Sequence, residues 1–451
     1  MRQICIDTIF NIILTDYTIV IRSVGAAVCA GQTASAIRPD MIGRELTEEN
    51  FMGVDIKVGK LKPLPGDAPS SAEALEKYEQ EFHSHSQVWG EILQTNFERL
   101  SKGNYSLHWM NGDANNWGGQ KPKISSRGLT YIDINRVKGS GEIDEVTAWK
   151  SFAPRGSIRE PYKNMMPVLE SYDVTHKNDV WSDNVAPLYE EAKARQWNAT
   201  RDIPWDEIGD LPDDIAKASC QLSTFLSEIE FAAADFPARW LYRIPQDFLE
   251  VKSFLATQIM DEARHQEVFR KRALMGGGLL HASPGFEWAL KSILEAPNHV
   301  MGTFLLNLLG EGLVLSLFRS GEMIAKTSTD KEIFRLCMQD EARHVSYGVL
   351  QFKYYLDHHA NRPQAEEELH RFSDLGEQII MTAFSEATLN EPIAILLGGG
   401  LKHIDRGMDG LGKLWTVFIE EYLQRCDRAG FNRRARCTIP KEFPWGSARA
   451  A

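Results

Sequence analysis

The second half of the chain is a succession of long Pro-free stretches that mix apolar and polar positions at helical spacing, parted by short Gly- or Pro-bearing breaks. Residues 213–236 read as a helix stopped by Pro237, and residues 246–275 as a second, stopped by Gly276-Gly277-Gly278. Pro297-Asn298 opens a third that runs to about Lys326, and Lys331 to His359 forms a fourth with Pro363 beyond it. At about 1.5 Å per residue each is long enough to cross a domain. Long helices on short connections predict a bundle. Two further helices are expected at 366–389 and 411–426, and Leu396-Leu397-Gly398-Gly399-Gly400-Leu401 reads as a helix stop.

The first half is patterned differently. Ile4 to Val28 is apolar in bulk but interrupted by Asp7, Asp16 and Arg22, which suits neither a membrane-spanning helix nor a signal peptide. Residues 1–40 are therefore expected to form a poorly ordered extension. Residues 55–70, rich in Gly, Pro and Ser, read as an irregular arm, and residues 73–100 as helix. Between 101 and 205 periodicity is weakest; Lys138-Gly139-Ser140-Gly141, between Tyr131–Val137 and Glu145–Phe152, marks a possible small hairpin. Trp197 and Trp205 frame a segment that reads as a wrapped hydrophobic stretch, with a lid or a partner contact as alternatives. The resulting organisation is an extension (1–40), an irregular and helical region (41–205), the bundle (206–390) and a C-terminal helix and tail (391–451).

One pentapeptide occurs twice: Asp261-Glu262-Ala263-Arg264-His265 on the second helix and Asp340-Glu341-Ala342-Arg343-His344 on the fourth, 79 residues apart. Residues three apart share a helix face. Each copy therefore offers a carboxylate and an imidazole to one point, the Glu-x-x-His element of dinuclear metal bundles. Such sites draw one further Glu from each of the other two helices. The first helix offers Glu228 and Glu230. The third offers Glu311, the only charge between His299 and Arg319 on a strongly apolar run. A buried unpaired carboxylate is costly and calls for a metal, a partner or a proton. Four carboxylates balance two divalent ions, and oxygen and nitrogen ligands without thiolate suit iron or manganese. Asp261 and Asp340 stand four residues before each His, placed to accept the far imidazole N–H, with Arg264 and Arg343 to balance their charge.

Composition narrows the picture. The net charge of −12 argues against a broad nucleic-acid face. The six Cys stand singly, with no CxxC, so no zinc ribbon or cysteine-ligated iron–sulfur cluster is encoded, and the thiols read as free in a cytoplasmic protein. No membrane association is expected.

On the doubled motif, residues 213–360 resemble the ferritin-like di-iron carboxylate superfamily, and the Asp-Glu-x-Arg-His form most resembles the large hydroxylase subunit of bacterial multicomponent monooxygenases, which oxidise hydrocarbons and aromatics. The resemblance implies a mainly α fold: a ferritin-like four-helix bundle core with extra helices and an irregular N-terminal region. Glu230-Phe231-Ala232-Ala233 matches the family's first-helix context better than the surroundings of Glu228. Carried over by position, the ligands are Glu230, Glu262, His265, Glu311, Glu341 and His344. They would hold two irons, or a Mn/Fe pair, that activate O2 to oxidise a small organic substrate. An N-oxygenase or oxidase acting on an amine, and an iron-handling ferroxidase, are the alternatives. Three positions depart from relatives: Leu315 replaces a Thr one turn after the third-helix Glu, Phe269 stands where a radical-storing Tyr would lie, and Cys337 stands where N-oxygenases carry an additional His. Asn307, one turn before Glu311, is a substitute polar group. Phe231, Ala234, Phe304, Leu308 and Leu315, each within about two turns of a ligand, are candidate pocket walls. With no ferredoxin-type cysteines or flavin signature, turnover as a monooxygenase implies a reductase or ferredoxin, and relatives add a homodimer or small-subunit partner.

Overall fold

The computed structural model describes residues 71–84, 86–105, 107, 110, 121–135, 143–147, 149–159 and 166–442. The expected extension at 1–40, the arm at 55–70 and the turn at 138–141 lie outside the described residues. The chain divides into two compact units, Met1–Glu91 and Ile92–Ala451. Helix α1 (Ser71–Ser84) belongs to the first, and α2 (Ser86–Ser101) follows it along the chain.

In the second unit, Tyr131–Asn135 forms a short helix, α3, where a strand was expected. Local chemistry explains the difference: the Asp133 carboxylate accepts from both the backbone N–H and the hydroxyl of Thr130, which closes a helical turn. Val146 makes its isolated bridge with His176 instead. No strand occurs among the described residues.

The bundle begins after α4 (Val185–Ala194). Its four long helices are α5 (Asp213–Leu241), α6 (Leu249–Met275), α8 (His299–Ile324) and α9 (Ser328–His358), with α7 (Pro284–Leu294) between α6 and α8. α5 lies along α6, α8 along α9, and α6 meets α9 across the core. These helices form a four-helix bundle, and the fold is mainly α. α5 does not stop at Pro237 as expected but continues to Leu241. Proline removes one backbone donor and favours a kink without dictating an end, and buried Phe236 and Trp240 hold the last turn in the core.

Helix α8 departs from simple geometry. Phe304–Gly310 is a π-helical segment, with α-helix on either side. The wider turns free backbone carbonyls, and the Arg425 guanidinium, reaching in from α12 (Ile404–Arg428), donates to the Leu308 carbonyl at 3.0 Å. Among the described residues α8 alone is long and apolar enough to cross a membrane, but 83% of its apolar window is buried within the protein. The start of α9 is fixed by Thr327, whose hydroxyl accepts from the Asp330 backbone N–H and donates to the Asp330 carboxylate, while Asp330 also pairs with Arg272 near the end of α6.

Three further helices, α10 (Arg362–Phe384), α11 (Ala387–Gly398) and α12, cover the bundle. The single helix expected over 366–389 is thus two elements, broken at Ser385–Glu386. α11 ends at Gly399 and Gly400, whose φ values of 81° and 135° suit only glycine, which agrees with the stop read from the sequence. α11 and α12 then cross so closely that a Cβ on Gly407 would stand 1.7 Å from the Ala394 carbonyl oxygen.

Candidate metal centre

Glu230 on α5, Glu262 and His265 on α6, Glu311 on α8, and Glu341 and His344 on α9 converge in the middle of the bundle, each no more than 3% exposed. Their ligand-type atoms form two overlapping sets. Glu230, Glu262, His265 and Glu341 make one, and Glu262, Glu311, Glu341 and His344 the other, with all atoms of each within 4.8 Å of one another. Glu262 and Glu341 belong to both. His265 Nδ1 lies 3.0 Å from Glu262 Oε2, 3.3 Å from Glu341 Oε1 and 3.8 Å from Glu230 Oε2. His344 Nδ1 lies 2.9 Å from Glu262 Oε1, 3.4 Å from Glu341 Oε2 and 3.9 Å from Glu311 Oε1. Glu228 is elsewhere: half-buried, it meets Glu287 of α7, and burial with that neighbouring carboxylate pushes it up to about 7.

Four of the converging atoms, Glu230 Oε1, Glu262 Oε1, Glu341 Oε2 and His344 Nδ1, are buried without a hydrogen-bond partner. His344 Nδ1 and Glu262 Oε1 are close yet not aligned to bond each other. Lone pairs brought to a common point in this way fit a shared cation better than a hydrogen bond. The electrostatics agree. Burial drives Glu230 and Glu311 well above the ordinary carboxylate range, whereas Glu262, though buried, is held below it by the imidazoles of His344 and His265. Without a cation the cluster must take up protons to stay near neutral. Two divalent ions would balance four carboxylates, and the six residues fit a pair of irons, or one manganese and one iron.

Behind the histidines, the Asp of each pentapeptide copy supports the His of the other. Asp340 accepts from His265 Nε2 at 3.1 Å, and Asp261 from His344 Nε2 at 3.4 Å. The sequence places each Asp to accept a far imidazole N–H, and the structure makes it the imidazole of the other helix. Arg264 Nη2 lies 2.7 Å from Asp340, and Arg343 Nη2 lies 2.8 Å from Asp261 and 2.6 Å from Asp340. The result is a closed quartet of two buried acids and two buried guanidinium groups. It fixes both imidazoles with Nδ1 toward the carboxylates.

Three supporting residues escaped sequence reasoning. The Trp197 indole N–H donates to Asp340 at 2.7 Å, and its ring stacks on His265 and lies under Arg264. Gln196 accepts from Arg264 at 2.8 Å. Both sit in a segment without periodicity, where the sequence marks Trp197 as framing a wrapped hydrophobic stretch but not as a partner of the cluster. Gln258, one turn before Glu262 on the same face, donates to Glu311 Oε1 at 2.9 Å, opposite Asn307, which donates to Glu311 Oε2 at 2.7 Å. The four-residue spacing from Glu262 was the signal for Gln258.

A cavity of about 60 Å³ opens beside Glu230, Glu311 and Glu341. Those carboxylates are its only polar side chains; Phe225, Ile229, Phe286, Leu306, Val314 and Leu317 are among its apolar walls. None of the expected wall residues lines it. Phe231 is 59% exposed, and Ala234 is half-buried outside it. Phe304 packs on Phe352, Phe372 and Tyr422, Leu308 is buried in the core, and Leu315 sits at the core's edge. On α5 the cavity face runs through positions one before and three after Glu230, not one and four after. On α8 the π segment widens the turn toward five residues, so that positions before Glu311 rotate progressively away from α-helical expectation. Leu306, five residues before Glu311, therefore shares its face.

No family model matches the chain, and no curated protein matches it. Among solved structures it is similar to an R2-like ligand-binding oxidase with an aerobically reconstituted Mn/Fe cofactor, at 19% identity over 55% of this chain and 93% of that one, with a TM-score of 0.45. A variant of such an oxidase with an Fe/Fe cofactor matches at 20% identity over 55% and 94%, also at 0.45. Another, with an anaerobically reconstituted Mn/Fe cofactor, matches at 18% over 58% and 95%, at 0.43. Likeness this distant does not carry an activity across.

Proposed function

We propose that the chain is an O2-dependent oxidoreductase that holds two irons, or a Mn/Fe pair, and oxidises a small apolar organic molecule. The convergence of four carboxylates and two Nδ1 atoms into two sets sharing Glu262 and Glu341 carries this reading. When bound, the metal pair supplies the electrons for reducing O2. Glu262 and Glu341, which belong to both sets, would serve both metals, with His265 and Glu230 completing one set and His344 and Glu311 the other. The Asp–Arg quartet keeps each imidazole proton on Nε2 and leaves Nδ1 free to ligate. Gln258 and Asn307 fix the Glu311 carboxylate from either side, and the cavity's apolar wall excludes bulk water and places substrate beside Glu230, Glu311 and Glu341.

Insertion of oxygen into a C–H bond, as in the hydroxylase subunits the doubled motif resembles, is the finer reading. The cavity favours it over amine oxidation, because its walls offer an ammonium or amine no acceptor besides the ligands themselves. Electrons would come from a separate reductase or ferredoxin. The test is single turnover of iron-loaded, reduced protein with isotopically labelled O2 and a small hydrocarbon. Label in an alcohol product supports oxygenation. Oxidised substrate without label assigns an oxidase, and oxidation of iron alone assigns a ferroxidase.

A further inference from the structure

A second cavity, of about 40 Å³, lies farther along α8. Ser219 and Ser223 of α5, Ser320 and Ile324 of α8 and Leu396 of α11 are among its lining residues, and exposed Lys326 stands at its rim. Leu317 belongs to the walls of both cavities. From Glu311 to Ile324, α8 advances about 20 Å, so the two cavities follow one helix from the carboxylates toward the surface. The inner one has no polar side chain except those carboxylates, whereas the outer one presents three serine hydroxyls, with Lys326 and with Asp330, whose charge is already paired with Arg272.

We propose that the outer cavity is the second half of the substrate's path, that Leu317 is the specificity-determining residue dividing it from the inner half, and that the ligand spanning both is an unbranched alkyl chain ending in an uncharged oxygen group. This rests on the proposed oxidation for its purpose, but not for its geometry. The chain's apolar end lies beside Glu230 and Glu311, where every wall residue other than the ligand carboxylates is apolar. Its oxygen end lies among Ser219, Ser223 and Ser320; the Ser320 hydroxyl donates to the Ser316 carbonyl at 2.9 Å and is left to accept, while Ser219 and Ser223 can donate or accept. The Leu317 side chain, buried between them, must turn aside for the chain to pass.

Calorimetric titration of the iron-loaded protein with n-alkanols, from n-butanol to n-dodecanol, tests this. Affinity rises by roughly fourfold per added methylene while each finds apolar wall, then levels off at the length that fills both cavities. Leu317→Phe, which thickens the divide, makes it level off several methylenes earlier. Ser223→Leu, which fills the outer cavity from α5 without touching Leu317, does the same and decides the matter should Leu317→Phe fail to fold. A plateau at the same length in both variants as in the unchanged protein overturns the proposal, as does affinity independent of chain length. Iron content and labelled-O2 product, measured on the same samples, separate the two readings. An unchanged plateau with product formed leaves the oxidation standing and removes the path; normal length dependence without iron does the reverse.

Discussion

Replacing Asp340 by asparagine removes one charge from the most connected buried group in the protein. Asp340 is fully buried and accepts from His265, Trp197, Arg264 and Arg343. The amide keeps one acceptor oxygen but turns an NH2 toward groups that are all donors. The quartet changes from neutral to one uncompensated positive charge. Breaking a buried ion pair by changing one partner costs about 3–5 kcal/mol, and loss of the group that orients a metal-binding histidine weakens metal affinity about 10–100-fold. The assay is urea unfolding of metal-free protein, paired with iron affinity. Glu250→Gln is the control, since Glu250 pairs with Arg155 in an equally buried ion pair remote from the cluster. It should cost similar stability and leave iron affinity unchanged. The reasoning is refuted if Asp340→Asn unfolds within about 1 kcal/mol of the unchanged protein, or binds iron as tightly as Glu250→Gln does.

Other outcomes follow from the same structure. Val314→Phe should fill the inner cavity, raising KM or abolishing turnover while iron content stays the same. Glu228, raised to about 7 by burial and Glu287, is protonated in the folded chain where the unfolded chain has lost its proton. Its contribution to stability is therefore present below about pH 4 and falls away as pH rises toward 7; Glu228→Gln should flatten the decline in urea midpoint over that range, and an identical decline would contradict the assignment. Gly407→Ala should destabilise by about 1–3 kcal/mol or more, because the added Cβ meets the Ala394 backbone rather than a movable side chain.

How much of this was legible in the sequence depended on regular spacing. The four long helices and the convergence of six residues followed from i, i+3 geometry and from a lone carboxylate, Glu311, on an apolar run. Glu230 over Glu228 needed family context, because a two-residue choice on one helix turns on a rotation that composition does not fix. The cavity wall was misread for the same reason: Phe231 and Ala234 sit on the wrong side of that rotation, and the π segment displaces Phe304 and Leu308. Trp197 was invisible as a supporting residue because its segment has no period, and its role depends on a contact with Asp340 that spans 143 residues.

The most direct test of the metal reading is iron content per chain by mass spectrometry, after anaerobic Fe(II) loading and desalting. The geometry predicts two irons per chain, with Glu311→Ala losing the pair and Glu228→Ala retaining it. No bound iron in the unchanged protein, or two irons retained in Glu311→Ala, would contradict it.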